Sequence, residues 1–133
     1  VLAVAAVLIC VFWLMWKLMQ RNAFKTRTNG PKIAVQDVFR LIRAGDSSLR
    51  LIDLRPSVVQ EAEPLAGWLP ANADTALSAA RAWNKNDLIV TMCACPNDVS
   101  ASQVADLLRK QGYSKAKAMQ GGYDAWLARN ASN

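Results

Sequence analysis

The first sixteen residues of the chain contain no charged and no strongly polar side chain. As a helix they span about 24 Å, and adding Lys17, Leu18 and Met19 brings the segment close to the ~30 Å hydrocarbon core of a bilayer. A helix in the core of a soluble domain has a polar face, and this segment has none. We therefore interpret residues 1–19 as a transmembrane helix whose partner is the lipid bilayer.

The charges that follow the apolar run orient this helix. Basic residues come directly after it, and no acidic residue occurs before Asp37. A signal peptide has its basic residues in front of the apolar segment instead. By the positive-inside rule, the domain that follows is expected to be cytoplasmic. Because the chain begins at Val1 rather than at Met, we also expect it to be part of a longer protein.

The formal net charge of +6 is concentrated beside the apolar segment. Residues 1–32 carry five basic and no acidic side chains, whereas residues 33–133 carry eleven basic and ten acidic ones. A nucleic-acid-binding domain needs a basic face on the folded domain itself. We therefore expect no nucleic-acid partner.

The chain after the apolar segment divides into a polar, basic linker over residues 20–31 and one domain over residues 32–133. In this domain strand-like and helix-like patterns alternate, which predicts an α/β fold with a parallel sheet flanked by helices. Residues 63–76 follow no clear pattern. Strands are expected near 33–35, 49–54, 88–92 and 115–119, and helices near 36–44, 57–62, 77–83, 100–110 and 123–129.

A strand, a short loop and a helix N-terminus follow one another between Asp87 and Leu108, and Cys95 opens the loop. Unpaired backbone N–H groups and the positive end of the helix dipole meet at such a place, so it favours an anion such as a thiolate. Ser100 is the expected N-cap of the helix, and Pro96 has no N–H to offer. The amides expected to line the loop are those of Asn97, Asp98, Val99, Ser100 and Ala101.

Three candidate functional segments follow three predicted strands. Arg55 comes after one strand, Cys95 after another, and Gly121-Gly122 after a third. Since ligands bind outside the carboxyl ends of parallel strands, these residues are expected to lie on one edge of the sheet.

The number and placement of the cysteines argue against a disulfide framework and against a zinc site. Three cysteines, no histidine and an expected cytoplasmic location argue against a disulfide framework. Cys10 lies in the apolar helix and is interpreted as an inert packing residue. Cys93 and Cys95 supply two ligands where zinc needs about four. We expect no metal site and no cofactor.

Residues 33–129 resemble the rhodanese-like sulfurtransferase domain. The resemblance is carried by LIDLRP (51–56), by LIVTMCACPNDVSASQVADLL (88–108) and by GYSKAKAMQGGYDAW (112–126). The CACPN variant, preceded by an apolar span with a basic exit, also resembles the tail domain at the C-terminus of bacterial inner-membrane proteins of the DedA type. This second resemblance implies a bacterial inner membrane as the location.

The resemblance to rhodaneses implies that Cys95 is the catalytic residue and that its thiolate carries sulfur as a persulfide. The expected partners are a sulfane-sulfur donor and a thiol acceptor, either low-molecular-weight or protein. Family members that use thiosulfate often have a basic residue in the loop, whereas this loop contains an acid and no base. Polysulfide, glutathione persulfide or a protein persulfide is therefore the expected donor. The implied substrate-binding loop consists of Pro96, Asn97, Asp98, Val99, Ser100 and Ala101.

Several neighbouring residues have two interpretations. Cys93 is either a core cysteine or a resolving thiol, because strand residues two apart face the same side. Arg55 either lines the site or pairs with a carboxylate, and Asp53 is expected to anchor a turn. Gly121 and Gly122 are expected to form a turn near the site.

Two other functions are alternatives to sulfur transfer. A cysteine phosphatase needs an arginine six residues after its cysteine, and that position holds Ala101. A noncatalytic interaction or regulatory module tethered to the membrane is the stronger alternative. Such modules usually lack the cysteine that this chain retains.

Overall fold

The computed structural model describes residues 1–28 and 30–132, and for residues 22–28 it describes the backbone alone. Helix α1 runs over Leu2–Thr28, and its segment Leu2–Arg21 is long and apolar enough to cross a membrane, with a mean hydropathy of 2.3. Its described side chains are exposed. The helix therefore continues well into the segment predicted to be a linker, whose residue Asn29 lies outside the described residues.

The five strands of the domain form one sheet, and every pairing between them is parallel. The strands are β1 (Lys32–Ile33), β2 (Leu49–Asp53), β3 (Leu69–Pro70), β4 (Leu88–Met92) and β5 (Lys117–Met119). They are arranged in the order β1-β5-β4-β2-β3. The predicted α/β fold with a parallel sheet is confirmed.

Helices cover both faces of the sheet. They are α2 (Val35–Arg43), α3 (Ser57–Ala62), α4 (Ala73–Ala80), α5 (Val99–Lys110) and α6 (Gly122–Ala131), with a 3₁₀ turn at Pro96–Asp98. The core lies in two layers because side chains alternate along the strands. Ile89 packs on the layer that α4 and α5 cover, and Val90 packs on the layer that α2 and α6 cover.

Two parts of the predicted pattern were wrong or incomplete between residues 63 and 83. Strand β3 is only two residues long and exposed, so it has no periodicity to detect. Helix α4 begins at Ala73 rather than near Leu77, because Asn72 caps it. The Asn72 side chain accepts a hydrogen bond from the Thr75 amide, and the Thr75 hydroxyl accepts one from the Asn72 amide.

The carboxyl end of β4 is joined to its neighbours by hydrogen bonds that shape the edge of the sheet. The Leu54 amide donates to the Met92 carbonyl at 2.7 Å, just beyond the end of β2. The Thr91 hydroxyl donates to the Ala101 carbonyl at 2.7 Å, which attaches the first turn of α5 to the strand. The loop between β4 and α5 is thus held at both ends.

Candidate functional site

The loop that begins at Cys95 turns sharply through two left-handed residues. Asn97 and Asp98 both have φ of 56°, a conformation that Asn and Asp adopt more readily than most residues. The Asp98 amide donates to the Cys95 carbonyl at 3.4 Å. Because the chain turns here, Asp98 occupies the N-cap position of α5, and the prediction of Ser100 as the N-cap was wrong.

Two of the loop amides hold the turn itself. The amide of Val99 donates to the Pro96 carbonyl, and that of Asp98 is used by Cys95, so two of the five expected amides are engaged within the loop. Ala101 is buried against Cys93, whereas Pro96, Asn97 and Ser100 are exposed and Val99 is half-buried. The roles of these loop residues toward a substrate stay predictions.

Cys93 and Cys95 are joined by a disulfide, with their Cα atoms 5.6 Å apart. The cysteine content and the expected cytoplasmic location argue against a disulfide framework, and this disulfide contradicts that prediction. The physical reason lies in the local backbone, since two residues separated by one position in an extended segment point to the same side. Cys10 is a free, exposed cysteine on α1.

The two sulfur-bearing residues differ in their access to solvent. Cys93 is 2% exposed and packs with Ala101 and Ala118. Cys95 is half-buried and opens into a pocket of about 270 Å³. The described residues that line this pocket include one acid and no lysine or arginine; they are Cys93, Ala94, Cys95, Pro96, Gly121, Tyr123 and Asp124.

Asp98, the acidic residue within the loop, is hydrogen-bonded to other protein groups. Asp98 is 4% exposed, and its Oδ2 accepts hydrogen bonds from the Gly121 amide at 3.1 Å and from Lys32 Nζ at 3.2 Å. Lys32 Nζ also lies 3.3 Å from the Asn97 carbonyl oxygen. Asp98 therefore ties the loop to β1 and to the start of α6.

Sequence reasoning assigned Lys32 only to the basic stretch that orients the membrane helix. In the structure Lys32 lies beside the loop and pairs with the Asp98 carboxylate. The local sequence carries no sign of this contact, because Lys32 and Asp98 are distant along the chain. Parallel pairing of β1 with β5 brings them together.

Asp53 and Arg55 form a buried ion pair immediately after β2. The guanidinium donates from Nε and Nη2 to the carboxylate at 3.0 and 2.9 Å, and the Arg55 amide donates to Oδ1 at 3.0 Å. The bond to Asp53 raises the pKa of Arg55 above its ordinary value. Arg55 thus pairs with a carboxylate and contributes to a different pocket, of about 460 Å³, while Asp53 anchors the turn as expected.

Tyr123 connects this ion pair to the pocket of Cys95. Its ring lies 4.5 Å from the Arg55 guanidinium, and its hydroxyl donates to Glu63 Oε2 at 2.7 Å. That hydrogen bond to Glu63 raises the pKa of Tyr123 above its ordinary value. Arg55 Nη2 also donates to the Glu63 carbonyl at 2.7 Å, so these residues form one wall beside the pocket.

Gly121 and Gly122 form the predicted turn and lie against the cysteine loop. Both have positive φ, at 83° and 55°. A Cβ atom at Gly122 would lie 2.2 Å from the Cys93 carbonyl oxygen, so this position has no room for a side chain. The Tyr123 amide donates to the same carbonyl at 3.0 Å, which fixes α6 against Cys93.

Comparison with known proteins decides the family. A model of the rhodanese-like domain matches residues 35–129. The chain belongs to this family. No protein of curated function matches the chain.

Three solved rhodanese-fold structures illustrate the likeness. The human single-domain sulfurtransferase TSTD1 is 23% identical, with a TM-score of 0.59 over 74% of this chain and 96% of its own. The Saccharomyces cerevisiae single-domain sulfurtransferase RDL2 is 18% identical, with a TM-score of 0.61 over 78% and 94%. The Alr3790 protein of Anabaena is 21% identical, with a TM-score of 0.64 over 72% and 76%.

At these identities the structures show a shared fold. Sulfur transfer is what two of these rhodanese relatives are named for, and the chain is related to sulfurtransferases through its rhodanese-like domain. Sequence reasoning missed Lys32, Glu63, Tyr123 and Asp124 around the candidate site. Tyr123 and Asp124 could have been found, because they directly follow the Gly121-Gly122 turn that was placed on the same edge.

Proposed function

We propose that this chain is a membrane-anchored sulfurtransferase that moves sulfane sulfur through a persulfide on Cys95. The observation that carries the proposal is the position of Cys95, half-buried in a pocket at the carboxyl edge of the sheet. It begins the loop that leads into α5, where the positive end of the helix dipole favours an anion. The family membership is consistent with this chemistry.

Transfer requires the reduced form of the cysteine pair. The Cys95 thiolate attacks the outer sulfur of a donor R–S–SH, the bond between the two donor sulfurs breaks, and the thiol R–SH leaves. Cys95 then carries the persulfide, and a thiophilic acceptor thiolate takes the terminal sulfur and restores the Cys95 thiolate. A thiolate is the nucleophile in both steps.

The charge around the pocket favours a persulfide or polysulfide over a small dianion such as thiosulfate. The described lining residues include Asp124 and no basic side chain, and Lys32, which lies beside the loop, is bonded to Asp98. A small dianion would meet the Asp124 carboxylate, and no basic side chain among the described lining residues offsets that charge. Glutathione persulfide or a protein persulfide brings less charge to the reacting sulfur.

The direct test traps the persulfide in a chain that cannot form the disulfide. The full Cys93→Ser chain, solubilised in detergent and reduced, is treated with glutathione persulfide and digested for mass spectrometry. We expect one added sulfur on the peptide containing Cys95 and none in Cys93→Ser/Cys95→Ser. A Cys95 peptide without added sulfur overturns the proposal and favours the noncatalytic tethered module.

The anchoring rests on α1, whose apolar side chains in the segment Leu2–Arg21 are exposed and would otherwise face water. We propose that α1 spans the inner membrane of a bacterium and that the basic residues at its exit keep the domain cytoplasmic. The resemblance to DedA-type tail domains extends this proposal to a larger parent protein. The parent gene tests that extension, since it should encode further spans before Val1.

Topology is tested with one exposed cysteine near the C-terminus. In a chain carrying Cys10→Ser, Cys93→Ser and Cys95→Ser, Ser132→Cys provides one exposed thiol near the C-terminus of the domain. A membrane-impermeant maleimide should label it in broken cells and leave it unlabelled in cells whose inner membrane is intact. Labelling in intact cells would contradict the cytoplasmic location.

A further inference from the structure

The disulfide between Cys93 and Cys95 joins the proposed sulfur carrier to a second, hidden thiol. The residues that surround Cys93 are small and apolar, namely Ala101 and Ala118. The Cys93 carbonyl is fixed by the Tyr123 amide at 3.0 Å. Cys93 is therefore held in one place, with its sulfur within bonding reach of Cys95.

Access to the pair is one-sided. Both cysteines line the pocket, but Cys95 is half-buried whereas Cys93 is only 2% exposed. An external donor therefore reaches Cys95, and Cys93 meets the sulfur that Cys95 carries. A thiol placed in this way can resolve a persulfide but is poorly placed to accept sulfur from solution.

We propose that Cys93 resolves the Cys95 persulfide and that the chain thereby releases hydrosulfide, acting as a persulfide reductase. This inference rests on the proposed sulfur transfer to Cys95. It adds a second outcome for the bound sulfur: besides transfer to an acceptor, the sulfur is reduced and leaves.

The step balances as an internal thiol–disulfide exchange. The Cys93 thiolate attacks Sγ of Cys95, the bond between that Sγ and the terminal sulfur breaks, and the terminal sulfur leaves as HS⁻. The two cysteine sulfurs are oxidised to the disulfide, and the sulfane sulfur is reduced to sulfide. The product is the Cys93–Cys95 bond that the structure contains.

A new cycle needs a dithiol reductant, either a small dithiol or a protein of that class. Its thiolate attacks Sγ of Cys95, the exposed side of the disulfide, and Cys93 leaves as the thiolate. The second thiol of the reductant then closes its own disulfide and frees Cys95. Over one cycle, a persulfide and a dithiol become a thiol, hydrogen sulfide and a disulfide.

The test is a single turnover on the full chain in detergent, in a Cys10→Ser background that leaves only the two site cysteines. The protein is reduced, freed of reductant and given one equivalent of glutathione persulfide, and both sulfide and protein mass are then measured. We expect sulfide in nearly stoichiometric amount and a chain that has lost two hydrogens through disulfide formation. A chain that keeps the added sulfur and releases no sulfide overturns the inference.

The matched variant Cys93→Ser separates the two proposals. It should take up the sulfur, hold it on Cys95 and release little sulfide. If it takes up sulfur and releases sulfide as fast as the parent, Cys93 is not the resolving thiol, although sulfur transfer to Cys95 stands. If it takes up no sulfur, the transfer itself fails, and the inference fails with it.

Discussion

Lys32 Nζ lies 3.2 Å from Oδ2 of Asp98, so the first strand of the domain holds the loop that contains the candidate nucleophile. The Asp98 side chain is 6% exposed and the Lys32 side chain 23% exposed. Removing one partner of a partly buried ion pair destabilises a fold more than removing one partner of an exposed pair. The reason is that a desolvated charge is left without its partner. The loop geometry therefore depends on a residue close to the membrane helix.

Replacing Lys32 tests this dependence. Lys32→Met leaves the Asp98 carboxylate with the Gly121 amide as its described partner, and we expect a loss of roughly 1–3 kcal/mol in the free energy of unfolding. Sulfur uptake by Cys95 should slow at the same time. Denaturant unfolding and the persulfide assay on the full chain measure the two effects.

Lys110 offers the matched control, because its side chain is 69% exposed in its ion pair with Asp106. Lys110→Met should cost less than about 0.5 kcal/mol and leave sulfur uptake unchanged. Equal effects of the two substitutions would show that the Lys32 contact does not hold the loop.

Gly122 is the position where a single methyl group should disturb the site most. Gly122→Ala places a Cβ atom 2.2 Å from the Cys93 carbonyl oxygen at a φ of 55°, and we expect it to destabilise the fold by roughly 3 kcal/mol or more. Gly45→Ala provides the control, since φ there is 66° and nothing lies within 4 Å of the new Cβ. That variant should lose only about 1 kcal/mol, from backbone strain. Similar unfolding midpoints for the two would contradict the close approach.

The buried pair of Asp53 and Arg55 should support the turn after β2 without taking part in the chemistry. Asp53→Asn removes the counter-charge of a guanidinium that is 1% exposed, so we expect a loss of about 3–5 kcal/mol. Asp37→Asn breaks an exposed pair with Arg40 and should cost under about 0.5 kcal/mol. Chemical denaturation compares the two, and a small effect of Asp53→Asn would refute the assigned role.

Tyr123 should lose its hydroxyl proton at a higher pH than an ordinary tyrosine does. Its hydrogen bond to Glu63 raises the pKa of Tyr123, so the folded chain keeps that proton at a pH where the unfolded chain releases it. The stabilisation is therefore complete below the ordinary tyrosine pKa of about 10 and is lost as the pH rises through the raised value. Tyrosinate absorbance should show this, with Tyr123→Phe identifying the signal. Glu63→Gln should move the titration to lower pH, and an unchanged curve would contradict the contact.

The fold could be predicted where a strong local pattern coincides with a stable element. Strand β4 and helix α3 have the predicted bounds, because an apolar run defines the first and Pro56 defines the start of the second. Strand β3 could not be predicted, because Leu69 and Pro70 form no strand pattern of their own. They belong to the sheet only because they pair with β2. Asn72, a residue type that commonly caps helices, marks the start of α4 in the sequence.

The candidate site was predictable only in its outline. Parallel topology placed Cys95 and the Gly121-Gly122 turn on one edge, and the structure brings them to one pocket. The bond from Lys32 to Asp98 and the bond from Tyr123 to Glu63 join residues far apart in sequence. Such contacts depend on how the elements pack, and no local pattern encodes them. The disulfide, by contrast, is a local contact, because its two cysteines are only two positions apart in the sequence. The expected cytoplasmic location argued against it.

The most direct measurement follows a heavy sulfur isotope from the donor into the protein. Glutathione persulfide labelled at its outer sulfur is mixed with the reduced full chain carrying Cys93→Ser, and the reaction is quenched and analysed by peptide mass spectrometry. We expect the label on Cys95 and its loss to an added thiol acceptor. Label found only on Cys10, or label on Cys95 that no acceptor removes, would contradict a sulfur-transfer function for this chain.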